Sequence, residues 1–563
     1  MSSTTSNLNA NPSDPYNRVS QTFPVLTDDQ VERAKPFGTI HDYRKGTILF
    51  DRGERSVDFV IVLSGCIEIY EHVTEGTRVI TVHEKNEFTG ELDLFNGREI
   101  LVGGRMGADG TVIRITRDQF KKLLASESDL SETILQAIIL RRRGLIAHNQ
   151  ASVTIITSNH TADLLRIERF LKGNGYPLEI VDYNNDLAKP YVERYDIKED
   201  DLPSVFLYNR NELLKKPGNL RLSQSLGLSE EIKEDHIYDV AIIGAGPAGL
   251  SAAVYAASEG LSTVLIESEA PGGQAGTSSK IENYLGFPLG ISGEDLSGRA
   301  QVQAHKFGAT IALPYVVESI DCESRPYKLS LDHHCRIQSR SIIIASGARY
   351  SKLNLPDEER FEGAGIYYAA TAMEGDICKN EEVIVIGGGN SAGQAAVFLT
   401  RFSSHVHILI RREGLEATMS DYLIQRIKAS GRISVHPYTE VTELRGGRAL
   451  EEVTWKNNQT GETESRSIRH LFLMIGALPN TGFINSCVLL DKKGFVVTGQ
   501  AAAESESWTL DRSPMMLETS IPAVFAVGDV RSGSTKRVAS AVGEGAMAVS
   551  QLHQALVELA EMG

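Results

Sequence analysis

The segment "YDVAIIGAGPAGLSAAVYAASEGLSTVLIE", from Tyr238 to Glu267, carries residue types whose spacing suits one kind of chemistry. An apolar run leads into Gly244-Ala245-Gly246-Pro247-Ala248-Gly249, and a helical pattern follows. Gly244 permits a tight turn, and Gly246 lets backbone amides approach a pyrophosphate at a helix N-terminus. Gly249 allows close packing of helix on strand. Glu267 closes the next apolar run, where a carboxylate accepts hydrogen bonds from ribose hydroxyls. Strand, glycine turn, helix, strand and terminal acid together predict a dinucleotide site.

A second copy follows in "EEVIVIGGGNSAGQAAVFLTRFSSHVHILIRRE". Here Gly387, Gly389 and Ala392 take the three small-residue positions. The following strand runs into Arg411-Arg412 in place of an acid. Arginine there suits a 2′-phosphate, so this copy is expected to take NADPH over NADH. Two dinucleotide sites in one chain imply a flavin and a nicotinamide. Three further stretches lie with the first copy: "EAPGGQAG" with Gly273 and Gln274, "IIIASGA" with Gly347, and "VFAVGDV" with Gly528 and Asp529. A helix of small residues, "VASAVGEGAMAV", ends the pattern and is expected to approach a flat cofactor closely.

The elements that must position these residues occupy the last part of the chain. Residues 237–563 resemble the low-molecular-weight thioredoxin reductases, with the motifs in order. The resemblance implies an FAD-binding domain in two pieces, 237–356 and 476–563, with an NADPH-binding domain, 357–475, inserted between them. It also implies FAD, NADPH and a homodimer. In that family a Cys-Ala-Thr-Cys string opens the NADPH domain and meets the flavin, and an acidic proton donor follows. Here the matching residues are Ala369-Ala370-Thr371-Ala372, and Met373 stands at the acid's position. Ala369 and Ala372 thus replace both family cysteines. Disulfide reduction requires a thiolate, so no catalytic side chain is assigned. Electrons are expected to pass from the flavin directly to a small-molecule or protein acceptor, such as a quinone, an iron–sulfur protein or oxygen. Two alternatives stand beside this reading. One is a small-molecule or redox sensor, or a docking protein. The other is thioredoxin-disulfide reduction through other thiols, with Cys378, taken as a loop residue, the nearest.

Upstream, short β runs separated by glycines and a helical stretch span residues 20–150, as in a β-roll. This block resembles the cyclic-nucleotide-binding domain, chiefly through "GELDLFNGREILVGG". The resemblance assigns Gly90 and Glu91 to a ribose hydroxyl and Arg98 to a cyclic phosphate. The small residue and hydroxyl that follow the arginine in the family are Ile100 and Leu101 here. A cyclic nucleotide or another regulator is thus the candidate partner of the β-roll, with cyclic-nucleotide binding expected to be weak or absent. Residues 151–230 read as strand–helix–strand, then strand–strand–helix, and resemble a thioredoxin or glutaredoxin fold with Pro203 at its cis-proline position. The turn Ser158-Asn159-His160-Thr161 carries no thiol, so a scaffolding or docking role is expected. The fold class is thus multidomain α/β: a β-roll, a thioredoxin-like domain and two Rossmann-like domains.

Bulk properties agree. The chain has 563 residues, enough for several domains, with 41% hydrophobic and 23% charged residues. A net charge of −16 argues against a nucleic-acid partner. No apolar run is long enough to span a membrane. Residues 1–19 are polar without an apolar core and read as a disordered lead, not a signal peptide. The five cysteines show no metal spacing, so no metal site is expected. They read as reduced thiols of a cytoplasmic protein, with a Cys322–Cys335 pair as the alternative.

Overall fold

The computed structural model describes residues 14–562 apart from 55–56, 73–75, 91–99, 149–152, 159–160, 208–211, 229–231, 277, 279–280, 282–283, 357, 362–363, 369, 371 and 485–486. The chain divides into two compact units. One comprises Met1–Asn159, Ile167–Ile232 and Val302–Pro314; the other comprises His160–Arg166, Lys233–Gln301 and Tyr315–Gly563.

Alternating apolar residues between glycine turns build a β-roll in the first unit. One antiparallel sheet orders Thr39–Tyr43, Gly110–Ile115, Phe59–Val62 and Phe88–Thr89. The other orders Ile48–Phe50, Gly103–Met106, Ile67–His72 and Thr77–His83. Phe59 centres the core, its ring 4.5 Å from that of Phe120 and 5.3 Å from that of Phe88. Aromatic side chains of this size supply much of a core's burial. The helix Ser128–Ala147 sends Arg141 inward, where its guanidinium donates to the carbonyls of Thr22 and Phe88. Two backbone carbonyls and the ring faces of Phe23 and Phe88 surround that buried cation. Residues 14–19, expected within a disordered lead, are folded: Asp14 caps the turn Pro15–Asn17, and Tyr16 stacks on His148. The rest of that lead lies outside the described residues.

A second sheet in this unit orders Leu178–Asp182, Val153–Thr157, Ser204–Leu207 and Glu212–Lys215. Its first pair is parallel and its other pairs are antiparallel. The strand and helix order is that read from the pattern. The Leu202–Pro203 peptide is cis and leads into Ser204–Leu207. Of the loop at Ser158, residues 159–160 lie outside the described residues.

In the second unit, continuous apolar runs form parallel strands buried on both faces, as parallel sheets require. Thr263–Ile266, Ile237–Ile243, Arg336–Ile344 and Val524–Ala526 run parallel in one sheet. Tyr327–Leu331 and Val317–Asp321 extend it antiparallel. A second sheet orders Ile366–Tyr367, His470–Leu473, Glu382–Ile386, His405–Leu409 and Ile433–His436, all parallel. The chain leaves the first sheet through Ala348–Tyr350 and returns through Ala477–Pro479. These two crossings pair antiparallel, Ala348 opposite Pro479. The second sheet therefore interrupts the first in sequence while the first remains continuous in space.

The cysteines differ from the reduced state expected. Cys322 and Cys487 are joined in a disulfide across 165 residues of sequence, with their Cα atoms 5.9 Å apart. Cys335, the partner considered from sequence, is free, as are Cys66 and Cys378. The sequence does not show that the hairpin turn holding Cys322 and the segment holding Cys487 meet. Among the described residues no helix is long and apolar enough to cross a membrane, and no His/Cys/Asp/Glu group is placed to hold a metal.

Candidate functional site at two glycine turns

Parallel strands deliver their C-terminal ends to one edge, and the functional residues gather there. Ile243 pairs with Ile266 in register, so the turn at Gly244 and the residue Glu267 emerge side by side. Gly244 has φ +99°, a conformation that favours glycine, and a Cβ there would sit 2.5 Å from the Ala345 carbonyl oxygen. A Cβ on Gly249 would run into the Gly244 carbonyl. Gly246 has open space where its Cβ would be, facing the cavity. The helix Pro247–Ser258 starts at this residue. The Glu267 carboxylate accepts from the amides of Ala245 and Glu269, at 2.8 and 2.9 Å. Burial nevertheless pushes its carboxyl above the usual carboxylate range, with the two amides opposing.

These residues open onto a cavity of about 900 Å³, a size that suits a large cofactor. Gly244, Gly246, Glu267, Gly273 and Gln274 line it, as do Gly347, Gly528 and Asp529. Gly249 does not; it packs beneath the turn. Burial also raises the Asp529 carboxyl, opposed by Lys536. Lys536 donates to the Asp529 carbonyl at 2.8 Å. The Glu544 carboxylate accepts from the Gly528 amide at 2.7 Å and from Arg531, holding the turn. The small-residue helix proves to be Val538–Met562. Ala539, Ser540 and Ala541 do face the cavity, but its glycine serves another contact: a Cβ on Gly545 would strike the Ala248 carbonyl of the first helix.

The second copy repeats the arrangement. Ile386 pairs with Leu409, which brings the Gly387 turn beside Arg411 and Arg412. Gly387 has φ +133°, and a Cβ there would meet the Met474 carbonyl. Gly389 starts the helix Asn390–Leu399, and Ala392 is fully buried against the turn. Thr418 donates to the Gly388 carbonyl at 2.7 Å, closing the loop that follows the arginines. Arg411 and Arg412 are exposed, and neither guanidinium has a side-chain partner among the described residues. Two unpaired cations beside a glycine turn suit a bound phosphate.

The strand at Ile366–Tyr367 carries the segment with the replaced cysteines to the same cavity. Tyr368 and Ala370 line it, with Phe398 and Met474 nearby on the lining. Ala372 is exposed at the start of the helix Ala372–Ile377. Ala369 and Thr371 lie outside the described residues. Cys378 sits, as expected, in the loop directly after this helix and is fully buried. Burial pushes its thiol up to about 12. Its Sγ contacts the Gly375 carbonyl at 3.4 Å. A thiol so protonated is no nucleophile. No cysteine lines the cavity. Sequence reading missed Tyr315, Asn480, Phe483 and Arg537 on the lining. Only Asn480 had a visible signal, in "GALPNT", where the chain returns to the first sheet.

In the β-roll, Gly90 ends the strand Phe88–Thr89 and is partly exposed; Glu91 and Arg98 lie outside the described residues. Ile100 and Leu101 are buried. The Ile100 amide and carbonyl are both taken by Glu54 and Gly53, at 3.0 Å each. Inside the roll the Tyr70 ring covers Gly103 and the Phe50 ring covers Gly104.

These features define an FAD- and NADPH-dependent flavin oxidoreductase. Residues 238–545 match the family model "Pyridine nucleotide-disulphide oxidoreductase", and the chain belongs to that family. Residues 40–127 match the cyclic nucleotide-binding domain. Thioredoxin reductase of Bacillus subtilis is 34% identical over 331 residues, covering 59% of this chain and 98% of its own. NADPH-dependent thioredoxin reductase 3 of Arabidopsis thaliana is 32% identical, over 60% of this chain and 63% of its own. Lactococcus lactis thioredoxin reductase, in the FR conformation, superposes with a TM-score of 0.51 at 33% identity, over 57% of this chain and 99% of its own.

Two outcomes follow. Gly249→Ala should displace the Gly244 turn and weaken FAD retention at least about tenfold, read as the flavin-to-protein absorbance ratio after purification; full flavin content would contradict the packing argument. Calorimetry of the whole protein with cyclic AMP and cyclic GMP should show no binding tighter than about 100 μM, because Leu101 offers no hydroxyl. Micromolar binding would contradict that.

Proposed function

We propose that the protein passes reducing equivalents from NADPH through FAD to an acceptor at the flavin cavity, without an active-site dithiol. The carrying observation is that no cysteine among the described residues lines the cavity, although Tyr368 and Ala370 bring the segment matching the family's cysteine string to it. Residues 237–356 and 476–563 would hold FAD. Gly244 and Gly246 would present amides to its pyrophosphate, and Glu267 would accept from its ribose. Gly273, Gln274, Gly347, Gly528 and Asp529 would border the rest of the cofactor. Residues 357–475 would hold NADPH on Gly387, Gly389 and Ala392, with Arg411 and Arg412 on the 2′-phosphate. The bound cofactors supply two-electron hydride chemistry. The protein's part is to position them, exclude water and admit the acceptor, a small oxidant or a protein. We assign a cytoplasmic homodimer, with residues 20–150 and 151–230 as regulatory or docking modules.

Arg411→Ala with Arg412→Ala removes two charge-assisted contacts of about 1.5–3 kcal/mol each. NADPH should therefore weaken by at least about a hundredfold, while NADH changes little. Equal losses for both nucleotides would remove the 2′-phosphate assignment.

The acceptor reading has its own test. Under anaerobic conditions NADPH should bleach the FAD absorbance, and a quinone or ferricyanide should support repeated turnover. Thioredoxin should not be reduced, and Cys378→Ala should leave turnover intact. A single slow reduction with no acceptor would favour the sensor reading. Thioredoxin reduction lost in Cys378→Ala would favour a hidden thiol.

A further inference from the structure

The Cys322–Cys487 disulfide has no place in the hydride path, yet both of its arms end on the flavin cavity. Cys322 follows the strand Val317–Asp321, and Val317, at the other end of that strand, lines the cavity. Cys487 donates its amide to the Ile484 carbonyl at 2.9 Å, at the end of the short turn Gly482–Ile484. Phe483 of that turn and Asn480 just before it also line the cavity. At its entry the Asn480 amide donates to Gly347 at 3.0 Å and Ser346 donates to the Asn480 carbonyl at 2.8 Å, the Thr481 hydroxyl donates to the Gly494 carbonyl at 2.9 Å, and beyond Cys487 the Leu489 amide donates to Ser520 at 2.9 Å. The disulfide therefore ties the far end of a flavin-lining segment to the strand beside it.

The two sulfurs are not equally accessible. Cys322 is half-buried, in a turn braced by Asp321, which accepts from the amides of Glu323 and Ser324 and from the Ser324 hydroxyl. Cys487 is buried, with 7% of its surface exposed. A thiolate from solvent meets Cys322 first, and Cys487 is the leaving group.

We propose that Cys322 and Cys487 form a thiol-addressed clasp on the flavin cavity, exchanging with low-molecular-weight thiols and disulfides of the glutathione type. In opening, one external thiolate attacks Cys322 Sγ, and Cys487 departs as a thiolate. A second external thiol then attacks the mixed disulfide. The sum is one protein disulfide plus two external thiols giving two protein thiols plus one external disulfide. Closing is the reverse, with an external disulfide as oxidant. Closed, the clasp holds Phe483 and Asn480 in place on the cavity wall. Open, the turn keeps the Thr481–Gly494 and Leu489–Ser520 hydrogen bonds but loses its covalent tie to the strand, and bound FAD leaves faster. In a compartment whose thiol pool is reducing, where permanent disulfides are rare, such a pair reports the state of the pool.

The test uses the full-length holoenzyme equilibrated with oxidised or reduced glutathione, denatured and titrated for thiols. The oxidised sample should show three thiols, those of Cys66, Cys335 and Cys378, and the reduced sample all five. FAD release on dilution, followed by recovery of flavin fluorescence, should be at least about fivefold faster in the reduced protein. Cys322→Ser should release FAD at the fast rate in both buffers, and Cys335→Ser should behave as the wild type. Should Cys322→Ser fail to fold, the two states of the wild type carry the comparison. Five thiols after oxidised glutathione, or equal release rates in the two wild-type states, would overturn the proposal.

Discussion

The second unit depends on one constraint: four segments must meet around the first glycine turn through three contacts made by glycines. Gly244 lies against Ala345, Gly249 lies against the Gly244 carbonyl, and Gly545 lies against Ala248. Each contact brings a different part of the chain to one point, namely the first strand, its helix, the returning strand and the C-terminal helix. Only when all are seated do the open face at Gly246 and the carboxylate of Glu267 border the same cavity. A side chain at any of these contacts would cost more than local strain, because interiors are close-packed and transmit displacement.

The same logic explains how the family's cysteines could be lost without disturbing the fold. Of the two positions matching them, 372 is exposed at the start of the helix Ala372–Ile377, and 369 lies outside the described residues. The nucleotide turns, by contrast, are tied into the sheets through the Ala345 and Met474 carbonyls. Chemistry carried by exposed side chains changes more readily than geometry carried by packed backbone.

In the β-roll, Ile100 and Leu101 are apolar where the resemblance placed a small residue and a hydroxyl, and both are buried. Tyr70 and Phe50 cover the glycines they pair with on the neighbouring strand Gly103–Met106.

Much of this was legible in the sequence because it is local. A glycine turn between a strand and a helix, with an acid or two arginines at the end of the next strand, is written within about 30 residues, the length of one βαβ unit. Parallel pairing then sets Gly244 beside Glu267 and Gly387 beside Arg411 with little further freedom. The cis peptide before Ser204 and the interruption of one sheet by the other were implied by the family resemblances and not by spacing. What the sequence could not determine depends on contacts between distant segments. The partner of Cys322 is 165 residues away and was assigned to the nearer Cys335 or to no partner. Asp14–Val19 fold because helix Ser128–Ala147 offers His148 and Gly144 as surfaces for Tyr16. Gly545 serves the first helix where a flat cofactor was expected. Periodicity and spacing record what a segment prefers. Which segments meet is set by the close packing of the whole unit, and only the tertiary structure decided it.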